Sequence, residues 1–176
     1  MLKMFTTQLT GVFKKIAEKE EFSFEDGARL LAQAPAGDGS IYIFGTREMK
    51  AVELEAVEGA EPLQAAKVLT EAEIDGLSDA DRVLLFSRFS TDGPALELAQ
   101  LLREKMIPFV AASTVIEPAD QDLSQLADVH IDLRLTRGLL PDEAGNRYGY
   151  PSAMAALFIY HGLKFTIDEI LAEYEE

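Results

Sequence analysis

The chain has 176 residues, none of them cysteine, and sets 16 lysines and arginines against 31 aspartates and glutamates for a formal charge of −15. That length suits one domain that buries its core without disulfides, and so acidic a surface repels phosphate polymers and anionic lipid, which excludes nucleic acid and membrane surfaces as expected partners. The start of the chain lacks a cleavable signal pattern, and no apolar run approaches the ~18 residues a transmembrane helix needs, so a cytoplasmic protein is expected.

Leu2, Phe5, Leu9, Val12, Phe13 and Ile16 recur at three- and four-residue steps, the stripe of an amphipathic helix. Ser23 followed by Asp26 approximates a capping box and predicts the start of a second helix through Leu31, ended by the stretch Ala34 to Gly39. Ile41 to Phe44 is a short β-favouring run, and a helical pattern follows Gly45-Thr46 from about Arg47 to Glu58, stopped by Gly59 and Pro62.

A second β–α unit takes Val83 to Phe86 as strand, Ser87 to Gly93 as loop and Pro94 to about Met106 as helix, with a further strand over Ile107 to Ala111. Continuous apolar strands separated by a helix predict a parallel sheet covered on both faces. Val129, Ile131, Leu133 and Leu135 alternate with Asp128, His130, Asp132 and Arg134, which predicts an edge strand with one solvated face. Residues 136–151 read as a loop rich in glycine and proline. The last helical region is predicted in two pieces, with Gly162 ending the first and Thr166 and Glu169 capping the second.

These elements predict one domain over 1–176: N-terminal helices over 1–34, an α/β core over 41–135 and a C-terminal helical region over 152–176. The fold class is a three-layer α/β/α sandwich with a mainly parallel, five-stranded sheet of flavodoxin-like or Rossmann-like type.

In such a sheet, ligands sit outside the carboxyl ends of strands, where helix N-termini present free N–H groups. Two turns suit an oxyanion there. Gly45-Thr46-Arg47-Glu48 combines a tight turn, a hydroxyl and a guanidinium. Ser87-Arg88-Phe89-Ser90-Thr91-Asp92-Gly93 offers three hydroxyls and an arginine, although capping of the next helix by Thr91 or Asp92 explains part of that composition. Asp128, His130 and Asp132 share a face at metal-ligand spacing but read as a solvated edge, so neither a metal nor another cofactor is expected.

The run from Ile41 to Ala112 resembles a sugar isomerase (SIS) domain. The resemblance is strongest over the strand, serine-rich loop, helix and strand from Val83 to Ala112, and the whole layout is similar to that of phosphoheptose isomerases. Where that family shows Ser-x-Ser-Gly-x-Ser/Thr, this chain has Ser87-Arg88-Phe89-Ser90-Thr91-Asp92. The resemblance implies a sugar-phosphate ligand held by Gly45, Thr46, Arg47, Ser87, Arg88, Ser90 and Thr91, and a homo-oligomer, dimer or tetramer. It also implies aldose–ketose isomerisation with Glu58 and His161 as the proton-transfer pair.

Read as ends of helices, Glu58 and His161 both meet a negative dipole end, which favours a protonated carboxyl and an imidazolium. A solvated helix-end glutamate and a packed core or interface histidine are the plainer readings of the same residues. The substitutions in the serine-rich loop motivate the alternative of a regulatory module that binds a sugar phosphate or nucleotide sugar without turnover, and a scaffold without ligand is a third reading.

Overall fold

The computed structural model describes residues 1–117 and 119–174. Helix α1 (Leu2–Lys19) meets helix α2 (Glu21–Ala36) at Glu20, whose backbone N–H bonds to Ile16 and whose carbonyl accepts from Phe24. The buried Glu20 carboxylate fixes this corner by accepting Arg134 Nε at 2.9 Å and Nη2 at 2.6 Å. Ser23 is therefore not the cap the sequence predicts; it lies inside a helix already under way. The helix also runs beyond Leu31, through Pro35, because Gly27, Ala28, Leu31, Ala32 and Ala34 form its buried face. Burial of that stripe outweighs the one hydrogen bond lost at proline.

The remaining elements are β1 (Ile41–Gly45), a single 3-10 turn (Arg47–Met49), α3 (Lys50–Glu58), β2 (Ala66–Val68), α4 (Glu71–Ile74), β3 (Arg82–Phe89) and α5 (Gly93–Glu104). They continue with β4 (Phe109–Thr114), α6 (Leu123–Leu126), β5 (Val129–Asp132), the short strands β6 (Leu140–Pro141) and β7 (Arg147–Tyr148), and α7 (Ser152–Tyr174). The main sheet has the order β2-β1-β3-β4-β5 with every pair parallel, as the fold class requires. β2 is the strand that the sequence reading did not place.

One face of the sheet, with Ile43, Leu84, Phe86, Val110 and Ile131, packs in a single core with Leu31 of α2 and Ile159 and Leu163 of α7. The other face, with Val83, Leu85, Phe109 and Ala111, packs with Leu98, Ala99 and Leu102 of α5. Each fully buried Leu, Ile or Phe contributes roughly 1.5–3 kcal/mol.

Five further expectations are corrected. β3 does not stop at Phe86 but continues to Phe89, with a register shift against β4 between Phe86 and Phe89, so Ser87 is a strand residue. β4 starts at Phe109 and extends to Thr114, and β5 closes the edge over only four residues. The 136–151 loop carries the antiparallel β6–β7 pair. Finally, α7 is one continuous helix of 23 residues. Gly162 does not end it: a Cβ there would stand 2.6 Å from Phe24 Cε1, so glycine serves the close approach of α2 and α7.

The chain leaves β1 toward β2 on one side and reaches β4 and β5 through β3 on the other. At this reversal the connections part above the carboxyl ends of β1 and β3, the place where open α/β sheets form a crevice.

Candidate functional site

A crevice of about 440 Å3 opens at that place. Gly45, Thr46 and Arg47 of the first predicted turn line it, facing Thr70 and Glu71 from the β2 side and Asp92, Gly93 and Pro94 at the start of α5. Its volume lies in the range of small-molecule sites.

The turn after β1 is held by its own backbone. Gly45 N–H donates to Glu53 Oε1 at 2.9 Å, Thr46 N–H to the Phe86 carbonyl at 3.0 Å, and Met49 N–H back to the Thr46 carbonyl at 2.9 Å. A Cβ on Gly45 would lie 2.4 Å from the Met49 carbonyl oxygen, so only glycine fits. Arg47 follows in left-handed backbone, φ 51°, a conformation that costs a non-glycine residue about 1 kcal/mol.

This turn keeps donors available. Thr46 is 8% exposed and its hydroxyl has no hydrogen-bond partner among the described residues. Arg47 and Lys50 are exposed, and neither forms an ion pair among the described residues. The sequence reading missed Lys50, although its place three residues after Arg47, at the start of the following helix, is a visible signal. It also missed Glu53, which reaches Gly45 only because α3 folds back against β1.

The second predicted turn is arranged differently. Ser87 is fully buried, with its hydroxyl 2.7 Å from Asp92 Oδ2 and 3.0 Å from the Phe89 carbonyl. Ser90, also buried, donates to Asp122 Oδ2 at 2.8 Å. Arg88 leaves the opposite face of β3 and grips Glu48 with both Nε (2.7 Å) and Nη2 (2.9 Å), while Ser152 Oγ donates to the same carboxylate at 2.7 Å. Hydrogen bonding from Arg88 holds the Glu48 carboxyl down at about 2. This network ties the turn after β1 and the end of β3 to the first residue of α7. Thr91 is exposed, and Asp92 occupies the N-cap place of α5 without a side-chain capping bond.

Glu58 and His161 lie outside the crevice lining. Glu58 is exposed at the end of α3. His161 sits in the middle of α7, so the helix-end dipole argument does not apply to it, and its Nε2 lies 3.8 Å from Glu55 Oε1. Glu55, one turn before Glu58, was visible at helical spacing but not singled out. The neighbouring Tyr160 hydroxyl is buried without a partner among the described residues. Burial, with Glu55 and Asp168 adding, pushes it up to about 12, so it stays a phenol. His161 also lines a larger open groove of about 1370 Å3 with Phe24, Arg29 and Phe165.

The face of β5 predicted as solvated is so only in part: Asp128 is exposed, while His130 is not. His130 is largely covered, its Nε2 2.7 Å from the buried Ser113 Oγ, and burial lowers its pKa. Asp128 accepts the Phe109 N–H and Asp132 the Arg134 N–H. Asp122 at the N-cap of α6 and Glu20 at the α1–α2 corner face His130 as well, because neighbouring elements cover this part of the edge. Among the described residues no group of three or more potential ligands could hold a metal, and no helix is long and apolar enough to cross a membrane.

The fold is that of SIS-domain proteins. The chain superposes on the Vibrio vulnificus NanR protein complexed with ManNAc-6P with a TM-score of 0.72 and 16% identity, covering 99% of this chain and 64% of that one. A phosphoheptose isomerase from Francisella tularensis gives a TM-score of 0.69 at 12% identity over 94% of each chain. The c3406 protein of E. coli CFT073, in complex with a sugar phosphate, gives 0.67 at 13% identity over 97% of this chain and 89% of that one. Identities this low carry the fold alone.

At the level of sequence, the model of a family described as "Domain of unknown function (DUF2529)" matches residues 1–171. The "Uncharacterized protein YwjG" of Bacillus subtilis (strain 168) is 47% identical over 177 residues, covering 99% of both chains. The chain belongs to the DUF2529 family.

Proposed function

We propose that this chain is a cytoplasmic, homo-oligomeric SIS-type module that binds a sugar phosphate in the crevice between β1, β2 and β3 without turning it over. The observation that carries the reading is the crevice itself. It joins the donors of Thr46, Arg47 and Lys50 to the start of α5, and includes neither Glu58 nor His161. The phosphate would sit among those donors, where the first N–H groups of α5 add a positive dipole end. The ligand-bound relatives of the same fold, one with ManNAc-6P and one with another sugar phosphate, support that ligand class.

A second reading is isomerisation in the manner of phosphoheptose isomerases, and the 3.8 Å approach of His161 to Glu55 favours it. In that reading His161 works with a glutamate of α3, Glu58 or Glu55, and a neighbouring subunit brings the pair to a phosphate-binding turn.

A thermal-shift titration of the full chain with sugar phosphates, sedoheptulose 7-phosphate included, each beside its unphosphorylated sugar, tests both. Binding without turnover gives a saturable rise in Tm with phosphorylated sugars only, abolished in Arg47→Ala, and no exchange of solvent deuterium into the sugar. Deuterium exchange that disappears in Glu58→Gln or His161→Ala, with the Tm rise retained, establishes isomerisation instead. No Tm rise across the panel rejects both.

A further inference from the structure

We infer that the crevice ligand is an amino-sugar phosphate, with its phosphate at Arg47 and Lys50 and a protonated amine among the crevice carboxylates Glu53, Glu71 and Asp92. The inference rests on the sugar-phosphate reading above and narrows it. The crevice lining contains two cations, Arg47 and Lys50, and three carboxylates, Glu53, Glu71 and Asp92, a net of −1. A phosphate monoester carries about −1.5 to −2 at neutral pH, so a plain sugar phosphate adds charge of the sign already in excess. An ammonium on the sugar removes one unit of that repulsion and provides the carboxylates with a charge-assisted donor.

The carboxylates are placed to receive it. Glu53 spends Oε1 on the Gly45 N–H, and Asp92 accepts Ser87 on Oδ2. The second oxygen of each has no hydrogen-bond partner among the described residues, and a carboxylate oxygen is acceptor only. Glu71 is exposed in the first turn of α4. Two of the carboxylates stand apart from the cations: Arg47, Lys50 and Glu53 come from the turn and helix after β1, Glu71 from across the crevice on α4, and Asp92 from the start of α5. A ligand that carries an ammonium as well as a phosphate meets both signs, and a uniformly anionic or neutral sugar does not.

The test is a thermal-shift titration of the full chain with four probes: glucosamine 6-phosphate, N-acetylglucosamine 6-phosphate, glucose 6-phosphate and glucosamine. The expected result is half-saturation by glucosamine 6-phosphate at a concentration about tenfold below that of either phosphate lacking the charged amine, since one charge-assisted hydrogen bond is worth about that factor. Glu53→Gln keeps an acceptor for the Gly45 N–H and should reduce the preference to about threefold or less. Glu71→Gln, on an exposed side chain, should reduce it in the same direction with the Tm of the free protein unchanged, which guards against a folding defect in the first variant. Equal response to all three phosphates overturns the inference and leaves the sugar-phosphate reading standing. An unchanged preference in both variants overturns it too, and no response to any phosphate, or an equal response to glucosamine, overturns both.

Discussion

The two turns with the composition of phosphate cradles, one after β1 and one after β3, differ in where their donors are directed. After β1 the Thr46 hydroxyl, Arg47 and Lys50 have no internal partner among the described residues, and they border the crevice. From the end of β3 through the turn that follows it, every expected donor but Thr91 is bound to a carboxylate of the protein: Ser87 to Asp92, Ser90 to Asp122 and Arg88 to Glu48. A buried donor paired internally stabilises the fold, and the same donor left open is available to a ligand. Similar residues thus make a structural staple at one turn and a candidate binding surface at the other.

The sharpest way to break that contrast is at the staple. Asp122 is 1% exposed, accepts Ser90 and Ser124, and caps α6. Asp122→Ala strands buried hydroxyls and removes a cap, and is expected to destabilise the protein by about 2–4 kcal/mol in a denaturant titration. A loss below about 0.5 kcal/mol would mean that the turn after β3 is not held by its carboxylates.

A middle-sized effect is expected at Glu48. Its folded carboxyl titrates at about 2 against an ordinary 4.5, so its contribution is complete above pH 4.5 and drains away as pH falls from 4.5 toward 2. Glu48→Gln should cost about 1–2 kcal/mol at neutral pH, given the partial exposure of the pair, and flatten stability against pH in that acid window. An unaltered acid limb in the variant would contradict the assignment.

The smallest effect belongs to the open turn. Thr46→Val replaces a buried hydroxyl without a partner by a methyl of similar size, so the Tm of the free protein should stay level or rise, within about 0.5 kcal/mol. The Tm rise caused by a sugar phosphate should shrink. A variant that loses stability without ligand would place this turn in the same class as its neighbour.

Much of the fold was legible in local pattern. Continuous apolar runs named β1, β3 and β4 as doubly covered strands, and the three- and four-residue steps named α1. The misreadings share a cause: local signals were overridden by packing. Ser23 looks like a cap, but the Glu20–Arg134 pair fixes the corner three residues earlier. Gly162 looks like a helix end, but α2 needs its missing side chain to approach α7. The three-residue β2 carries too little pattern to be seen, and its pairing with β1 is what places Thr70 and Glu71 at the crevice.

The site divides in the same way. The sequence by itself determined the acidic field, the parallel sheet, the glycine turn after β1 and the residue types able to meet an oxyanion, because these depend on composition and on neighbours a few residues apart. Only the tertiary structure decided which donors are free. Ser90 meets a carboxylate 32 residues away, Arg88 one 40 residues away and Ser152 one 104 residues away. Whether a hydroxyl or guanidinium faces a ligand or a carboxylate of its own chain depends on which loops the sheet order brings together, and no spacing along the chain encodes that.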